Sequence, residues 1–200
     1  MLRSDPHRIR TTAIIGVGIL ACALAVGTPG FAIGRTRSHG LTAALGFASK
    51  NEVDMVIPSV GWRFELEPGD RIGAWGEAIG TDLSFVVEPL IGAIVGDKDS
   101  VEAQIVPMVR LEPLALQDAV VLPFLEAGIG VIYTGLEGLD LGSNFLFSDN
   151  VGVGVSLALP DEWTWSRASI GYRYRHISHA GIFGSPNSGM NTHYLTLTFE

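Results

Sequence analysis

The sequence predicts an all-β fold, an eight-stranded antiparallel transmembrane β-barrel of the outer-membrane type. Large apolar residues alternate with small or polar residues in segments of about nine to thirteen residues, and turn-forming residues separate the segments. The composition agrees with this pattern, since 47% of the 200 residues are apolar and 25 are glycine. After the N-terminal segment no stretch can cross a bilayer as a helix, so strands are the predicted membrane-spanning elements.

The first three predicted strands cover residues 41–48, 53–65 and 83–95. The second strand ends at the turn-forming run Glu67-Pro-Gly-Asp70. Residues 71–81, which include Trp75 and Glu77, are predicted to link the second strand to the third and to extend the third strand.

The fourth, fifth and sixth predicted strands cover residues 101–111, 122–133 and 150–159, with a turn at 96–100 before the fourth. In the fourth strand Glu102, Gln104 and Arg110 share one face, and in the fifth strand glutamate and glycine oppose larger apolar residues. The sixth strand alternates valine or leucine with glycine, serine or alanine. This alternation predicts that large residues face lipid and small or polar residues face a narrow interior.

The seventh and eighth predicted strands cover residues 167–178 and 191–200. In the seventh strand Tyr172 and Tyr174 share one face, whereas Arg173 and Arg175 share the other. The eighth strand alternates apolar residues with threonine, and its penultimate residue is Phe199, an aromatic end common in such barrels. A cationic face would be unusual in the core of a soluble sheet, so the arginines are predicted to face a polar barrel interior.

Acidic and basic residues with interior parity are predicted to form an ion network, because an eight-stranded barrel has just enough interior space for side chains. The predicted members are Glu88, Glu102, Glu126, Arg110, Arg173 and Arg175. The formal net charge of −8 and the lack of a basic tract exclude nucleic acid as a partner. The single cysteine excludes thiolate metal sites, and no metal-ligand cluster or phosphate loop is visible, so no metal or other cofactor is expected.

Residues 1–32 are predicted to be a secretory signal peptide. Three arginines precede an apolar run at residues 11–26, and small residues lead to a cleavage site after Ala32. Residues 33–200 then form the barrel domain, which predicts an integral protein of a Gram-negative-type outer membrane. Two alternatives stay open: lipid attachment at Cys22, and retention of residues 11–26 as an anchor helix, although a span needs about 20 apolar residues.

The end of the seventh strand carries a candidate nucleophile and base. His176 and Ser178 lie two residues apart, so a strand places their side chains on the same face. A serine hydroxyl needs a neighbouring base to become a nucleophile, and imidazole has a suitable pKa. By parity this face is the lipid-facing one, which predicts a lipid substrate. Asn191 and His193 of the eighth strand fall on the same face.

Four spaced segments in order carry a resemblance to a known family: residues 123–131, 141–154, 174–182 and 186–191. In these segments the sequence resembles the outer-membrane lipid A 3-O-deacylases, the PagL family. The resemblance extends from about residue 41 to the end and is strongest after residue 120. It implies an eight-stranded barrel with a serine-esterase site on its outer surface, which removes the ester-linked acyl chain at position 3 of lipid A.

The resemblance also implies residue roles. Ser178 is similar to the family's nucleophile and His176 to its general base, while Asn191 stands where a glutamate should orient the histidine. His179 replaces an asparagine that the family motif places in the oxyanion hole. The ring of His179 or the backbone N–H groups of Ala180 and Gly181 are the candidate oxyanion donors.

The implied partners are lipid A or lipopolysaccharide as substrate and the surrounding membrane lipids, and a homodimer is compatible with the sequence. The main alternative function is a barrel with a decayed site that binds lipopolysaccharide or serves a structural role. A small pore and a soluble calycin-like barrel with an apolar ligand are further alternatives. The soluble barrel conflicts with the interior parity of the charged residues.

Overall fold

The chain forms a closed antiparallel barrel in which each of eight strands pairs with the next and β8 pairs with β1. The computed structural model describes residues 35–136, 139–182 and 188–200, so the predicted signal peptide lies outside the described residues. The elements are β1 (Thr36–Lys50), β2 (Val53–Leu66), α1 (Asp70–Ala78), β3 (Thr81–Gly96), β4 (Ser100–Pro113), a 3-10 turn (Leu114–Leu116), β5 (Val121–Thr134), β6 (Phe145–Ala158), β7 (Arg167–Ser178) and β8 (Met190–Phe199).

The predicted fold class is confirmed, and the bounds of β7 are those expected. Most other strands are longer than predicted. In β6 the strand begins at Phe145 rather than Asn150, because the inward alternation of Leu146, Ser148 and Asn150 continues through the earlier residues. We call the barrel end that carries Thr36 and Phe199 the terminal end, and the opposite end, where β7 finishes at Ser178, the distal end.

The prediction that residues 71–81 extend a strand is wrong, because most of this segment forms α1. Apolar residues recur there at Ile72, Trp75 and Ile79, which is helical rather than strand spacing. The helix packs on β3 through Gly76, where a Cβ atom would lie only 3.1 Å from the Cβ of Leu83. Among the described residues, no helix is long and apolar enough to cross a membrane.

The outer wall of the barrel is apolar, as the alternation predicts. Its exposed large residues come from every strand of the barrel. They include Leu45, Val60, Ile91, Val101, Leu125, Ile129, Val151, Val153, Ile170, Tyr172, Leu195 and Leu197. In water such a continuous apolar surface would be unfavourable, whereas in a membrane it contacts lipid chains.

The interior half toward the terminal end holds the predicted ion network. Glu126 contacts the guanidinium groups of Arg63, Arg110 and Arg173, and Glu88 contacts Arg63 and Arg173. These side chains are all nearly completely buried. Burial of charges is favourable only when partners and hydrogen bonds compensate for lost hydration, so the network depends on each of its members.

A second part of the network lies nearer the distal end. Arg175 donates two hydrogen bonds to the carboxylate of Glu102, at 2.6 and 2.9 Å, and Tyr194 donates to the same carboxylate at 2.9 Å. Arg63 and Tyr194 were not assigned to the ion network from the sequence. Tyr194 is buried and has the inward parity of Thr192 and Thr196 in β8.

An apolar cluster fills the interior toward the distal end. Its members include Met55, Ile57, Ile94, Ile132, Leu136, Leu139, Leu141, Leu146, Ile177 and Met190. Three of these leucines belong to the loop between β5 and β6, which therefore folds into the barrel mouth rather than away from it. The interior of the described barrel is thus packed with ion pairs at one end and apolar side chains at the other.

Replacing Glu126 with glutamine should destabilise the barrel strongly, because three buried guanidinium groups lose a shared counter-charge. Breaking a buried ion pair costs about 3–5 kcal/mol. Urea unfolding of the protein in lipid vesicles, followed by heat-modifiable gel mobility, measures the difference. Glu162→Gln at an exposed turn is the control and should change the unfolding free energy by less than about 0.5 kcal/mol. Equal midpoints for the two variants would contradict this assignment of the network.

Candidate active site

The alternation of β7 places His176 and Ser178 on the outer wall at the distal end of the barrel. Ile177 between them is fully buried and belongs to the apolar cluster inside the barrel. His176 and Ser178 are both partly exposed. The packing of Ile177 inside the barrel therefore fixes the position of the strand from which both candidate catalytic side chains project.

Asn191 lies directly opposite His176 on β8. The His176 Nδ1 atom lies 2.7 Å from the Asn191 Oδ1 atom. A carbonyl oxygen only accepts hydrogen bonds, so in this pair Nδ1–H is the donor. In the neutral ring Nε2 then carries no proton, which is the tautomer that a general base requires.

Ser178 is the last residue of β7 and lies opposite Phe147 of β6. Strand geometry separates it from His176 by about 6–7 Å along the chain. No hydrogen bond joins these two described side chains. Catalytic hydrogen bonds are often long before substrate binds, so this separation is compatible with a nucleophile and base pair.

Asp149 is a further candidate residue of this site, one that was not assigned to it from the sequence. It lies opposite His176 on β6, and its side chain is exposed on the outer wall. Directly paired residues have Cβ atoms about 4.5–5.5 Å apart, so a carboxylate flanks the imidazole on the side away from Asn191. If the predicted sixth strand had begun at Phe145, Asp149 would have stood out as a charged residue at a position that faces lipid.

Gly189 and Lys50 support His176 from the neighbouring loop and strand. Gly189 has φ +59°, and a Cβ atom there would lie 2.5 Å from Cε1 and 2.8 Å from Nε2 of His176. Lys50 at the end of β1 donates hydrogen bonds to the Gly189 carbonyl and, at 2.6 Å, to the Ser188 hydroxyl. The lysine thereby holds the backbone that contacts the imidazole, a role that no local sequence motif signals.

The three candidate oxyanion residues follow Ser178 directly. His179 is fully buried, so its ring does not share the outer wall with Ser178. Ala180 and Gly181 are exposed and have φ +53° and +76°. The Ile182 N–H donates to the His179 carbonyl at 3.0 Å, which closes a tight turn around them. A left-handed alanine is a strained conformation of the kind that clusters at functional sites.

His193 is the next outward-facing residue of β8 after Asn191, toward the terminal end, and it pairs with Tyr174. Its ring contacts both Tyr172 and Tyr174, and its Nδ1 atom lies 2.6 Å from the Tyr172 hydroxyl oxygen. An aromatic surface therefore separates the candidate catalytic residues from the apolar wall below. No group of three metal-ligating side chains is present in the part of the chain that the structure describes.

Comparisons with known proteins identify the fold and the family. The sequence profile of the lipid A 3-O-deacylase (PagL) family matches residues 58–200. The crystal structure of the outer membrane enzyme PagL matches with a TM-score of 0.61 at 20% identity, covering 78% of this chain and 97% of that chain. The structure of Neisserial surface protein A (NspA) matches with a TM-score of 0.52 at 17% identity, covering 80% and 93%. No curated protein matches the sequence.

The closed barrel with its apolar outer wall is that of an integral outer-membrane protein, and both solved structures share the fold. The family profile covers well over half of the chain. The chain therefore belongs to the lipid A 3-O-deacylase (PagL) family, and this membership implies a lipid A deacylase activity.

Replacing Gly189 with alanine should impair this activity while the barrel still folds. Strain at positive φ and the contact with the His176 ring together cost about 1–3 kcal/mol at the site, so we expect kcat to fall by about tenfold or more. The measurement is the rate of acyl release from lipid A by refolded protein. Gly80→Ala is a matched control, because Gly80 has φ +74° but no atom within 4 Å of a new Cβ. Similar rates for both variants would refute the proposed contact between Gly189 and His176.

Proposed function

We propose that the protein removes the ester-linked 3-O acyl chain from lipid A, with Ser178 as nucleophile and His176 as general base. The observation that carries this proposal is the hydrogen bond from His176 Nδ1 to Asn191, beside an outward-facing serine on the same strand. The bond orients the ring and leaves Nε2 free to accept a proton. The family membership supplies the substrate class.

In the proposed reaction the Ser178 hydroxyl oxygen attacks the ester carbonyl carbon as its proton passes to His176 Nε2. The backbone N–H groups of Ala180 and Gly181 lie in the turn that follows and are the proposed donors to the tetrahedral oxyanion. The imidazolium then protonates the sugar oxygen, which leaves as an alcohol. Water, activated by the same imidazole, hydrolyses the acyl-serine ester and releases the fatty acid.

We further propose that Asp149 partly supplies the negative charge that a glutamate would provide at position 191. An amide orients the imidazole but does not stabilise the imidazolium by charge, whereas the Asp149 carboxylate lies opposite His176 on the other neighbouring strand. The two neighbours of His176 thus divide the two functions of a triad acid. Asn191 fixes the tautomer, and Asp149 stabilises the positive charge.

The outer wall between the candidate site and the terminal end is suited to contact with lipid chains. An apolar groove of about 590 Å³ lies on the half of the barrel surface toward the terminal end, and its lining includes Leu125, Val153, Val155, Ile170 and Leu195. Tyr172 also lines this groove and lies on the same face of β7 as His176. A substrate can therefore present its ester to Ser178 while its acyl chains stay among the membrane lipids, with little desolvation cost for either partner.

The strongest alternative is a barrel that binds lipopolysaccharide without hydrolysing it. The neutral Asn191 is the observation that favours this alternative, because loss of the triad charge reduces catalysis. A small pore is less compatible with the structure, since ion pairs and apolar residues pack the described interior.

Replacing Ser178 with alanine should abolish acyl release, because the proposed nucleophile is then lost from the face of β7 that carries His176. Mass spectrometry of lipid A after incubation with refolded protein should show loss of one 3-hydroxyacyl chain with the wild type. The control is Ser166→Ala at the terminal end, which should keep full activity. Unchanged lipid A with a folded wild-type barrel would favour the binding alternative, and release by Ser178→Ala would refute the nucleophile.

Replacing Asp149 with asparagine should lower kcat by about fivefold with little change in KM, since an exposed ion pair contributes up to about 1 kcal/mol. Asn191→Glu in the Asp149→Asn chain should restore the rate, because the new carboxylate lies beside the same ring. Steady-state kinetics on lipid A in mixed micelles distinguishes these effects. Asp161→Asn at a remote exposed turn is the control, and an equal kcat for Asp149→Asn and the control would exclude the charge role.

A further inference from the structure

Helix α1 packs on the outside of the barrel wall rather than across the barrel opening. Leu83 of β3 has the same outward parity as Pro89 and Ile91, yet it is only 5% exposed. The cover is α1, which approaches β3 at Gly76, where a Cβ atom would lie 2.9 Å from the Thr81 carbonyl oxygen and 3.1 Å from the Leu83 Cβ. The helix thus occupies a place on the lipid-facing wall at the terminal end.

The close approach at Gly76 fixes which flanks of α1 are free. Successive helix residues are rotated by about 100°, so Ile72 and Trp75, together with Ile79 at the C-cap, lie on one side of the face that contacts the barrel at Gly76. Glu77 lies on the opposite side of that face. Trp75 is 59% exposed and Ile79 is 54% exposed. The helix is therefore amphipathic, with exposed apolar residues on one flank and an acidic residue on the other. Among the described residues, no part of the protein covers the apolar flank.

The apolar flank of α1 continues into two other apolar surfaces. The Leu114 N–H donates to the Gly80 carbonyl at 3.0 Å, so the loop with exposed Leu114 and Leu116 lies next to the end of the helix. Leu83 beneath the helix belongs to the outer wall, whose exposed residues at this end include Phe64 of β2. The flank is therefore continuous with the surface that contacts lipid chains.

We propose that α1 is a membrane-surface element that binds the phospholipid leaflet at the terminal end of the barrel. Its apolar flank lies among the acyl carbons nearest the headgroups, and Trp75 lies at the level of the headgroups, where indole is favoured. Arg71 neighbours Trp75 on the helix surface and carries the charge that phospholipid phosphates attract. Glu77 faces water. This contact fixes the depth and tilt of the barrel in the membrane and does not depend on the proposed catalytic reaction.

Site-directed spin labelling tests this placement with matched positions on one helix. Single cysteines at Ile72, Trp75 and Glu77, in a full chain with Cys22→Ser, carry a nitroxide after reconstitution in phosphatidylethanolamine and phosphatidylglycerol vesicles. Collisions with oxygen, which partitions into lipid, and with a water-soluble nickel chelate are measured for each label. Heat-modifiable mobility verifies folding, and loss of acyl release by a labelled chain would not bear on the proposal.

The expected result is an oxygen-to-nickel collision ratio several-fold higher at positions 72 and 75 than at 77. Equal ratios at the three positions, with free access of nickel, would overturn the proposal because the helix would then lie in water. Low access of both reagents at 72 and 75, with spin–spin broadening between labels, would also overturn it. That outcome would assign the apolar flank to a second copy of the chain.

Discussion

The alternation of side chains along β7 is the constraint on which both the barrel and the site depend. Arg173, Arg175 and Ile177 project inward, where two guanidinium groups need carboxylates and the isoleucine needs apolar neighbours. These contacts fix the pairing register of β7, since a shift of one residue would place both arginines in lipid. His176 and Ser178 are thereby held on the outer wall. The residues that stabilise the interior also fix the geometry of the candidate active site outside it.

The interior divides into two regions that act on the site differently. The ion network toward the terminal end sets the register of the strands through side chains that have no alternative partners in lipid. The apolar cluster toward the distal end draws the loop between β5 and β6 into the barrel mouth and packs against Ile177. Lys50 adds a tether from β1 to the Gly189 backbone beside His176. Rigid support on the inner side allows a surface site to keep its orientation without an enclosing pocket.

Features with a local period were predictable from the sequence, and features that arise from contacts across the barrel were not. Alternation gave the strands, the interior position of Arg173 and Arg175, and the common face of His176 and Ser178. Helix α1 was missed because a short segment with only two large apolar residues, Ile72 and Trp75, and two glycines fits either period weakly. Asp149 lies just before the predicted start of the sixth strand, so the short prediction of that strand left it out. Lys50 reaches the site from the end of β1, and no local sequence motif signals its position.

Activation of Ser178 by His176 is the central claim, and a fluorophosphonate probe tests it most directly. Such probes form a covalent bond only with a serine whose proton a base can accept. Peptide mass mapping of the folded wild-type barrel should place the adduct on the peptide that contains Ser178, and His176→Ala should eliminate it. A folded wild-type barrel without an adduct, or labelling of Ser178 that persists in His176→Ala, would contradict the account.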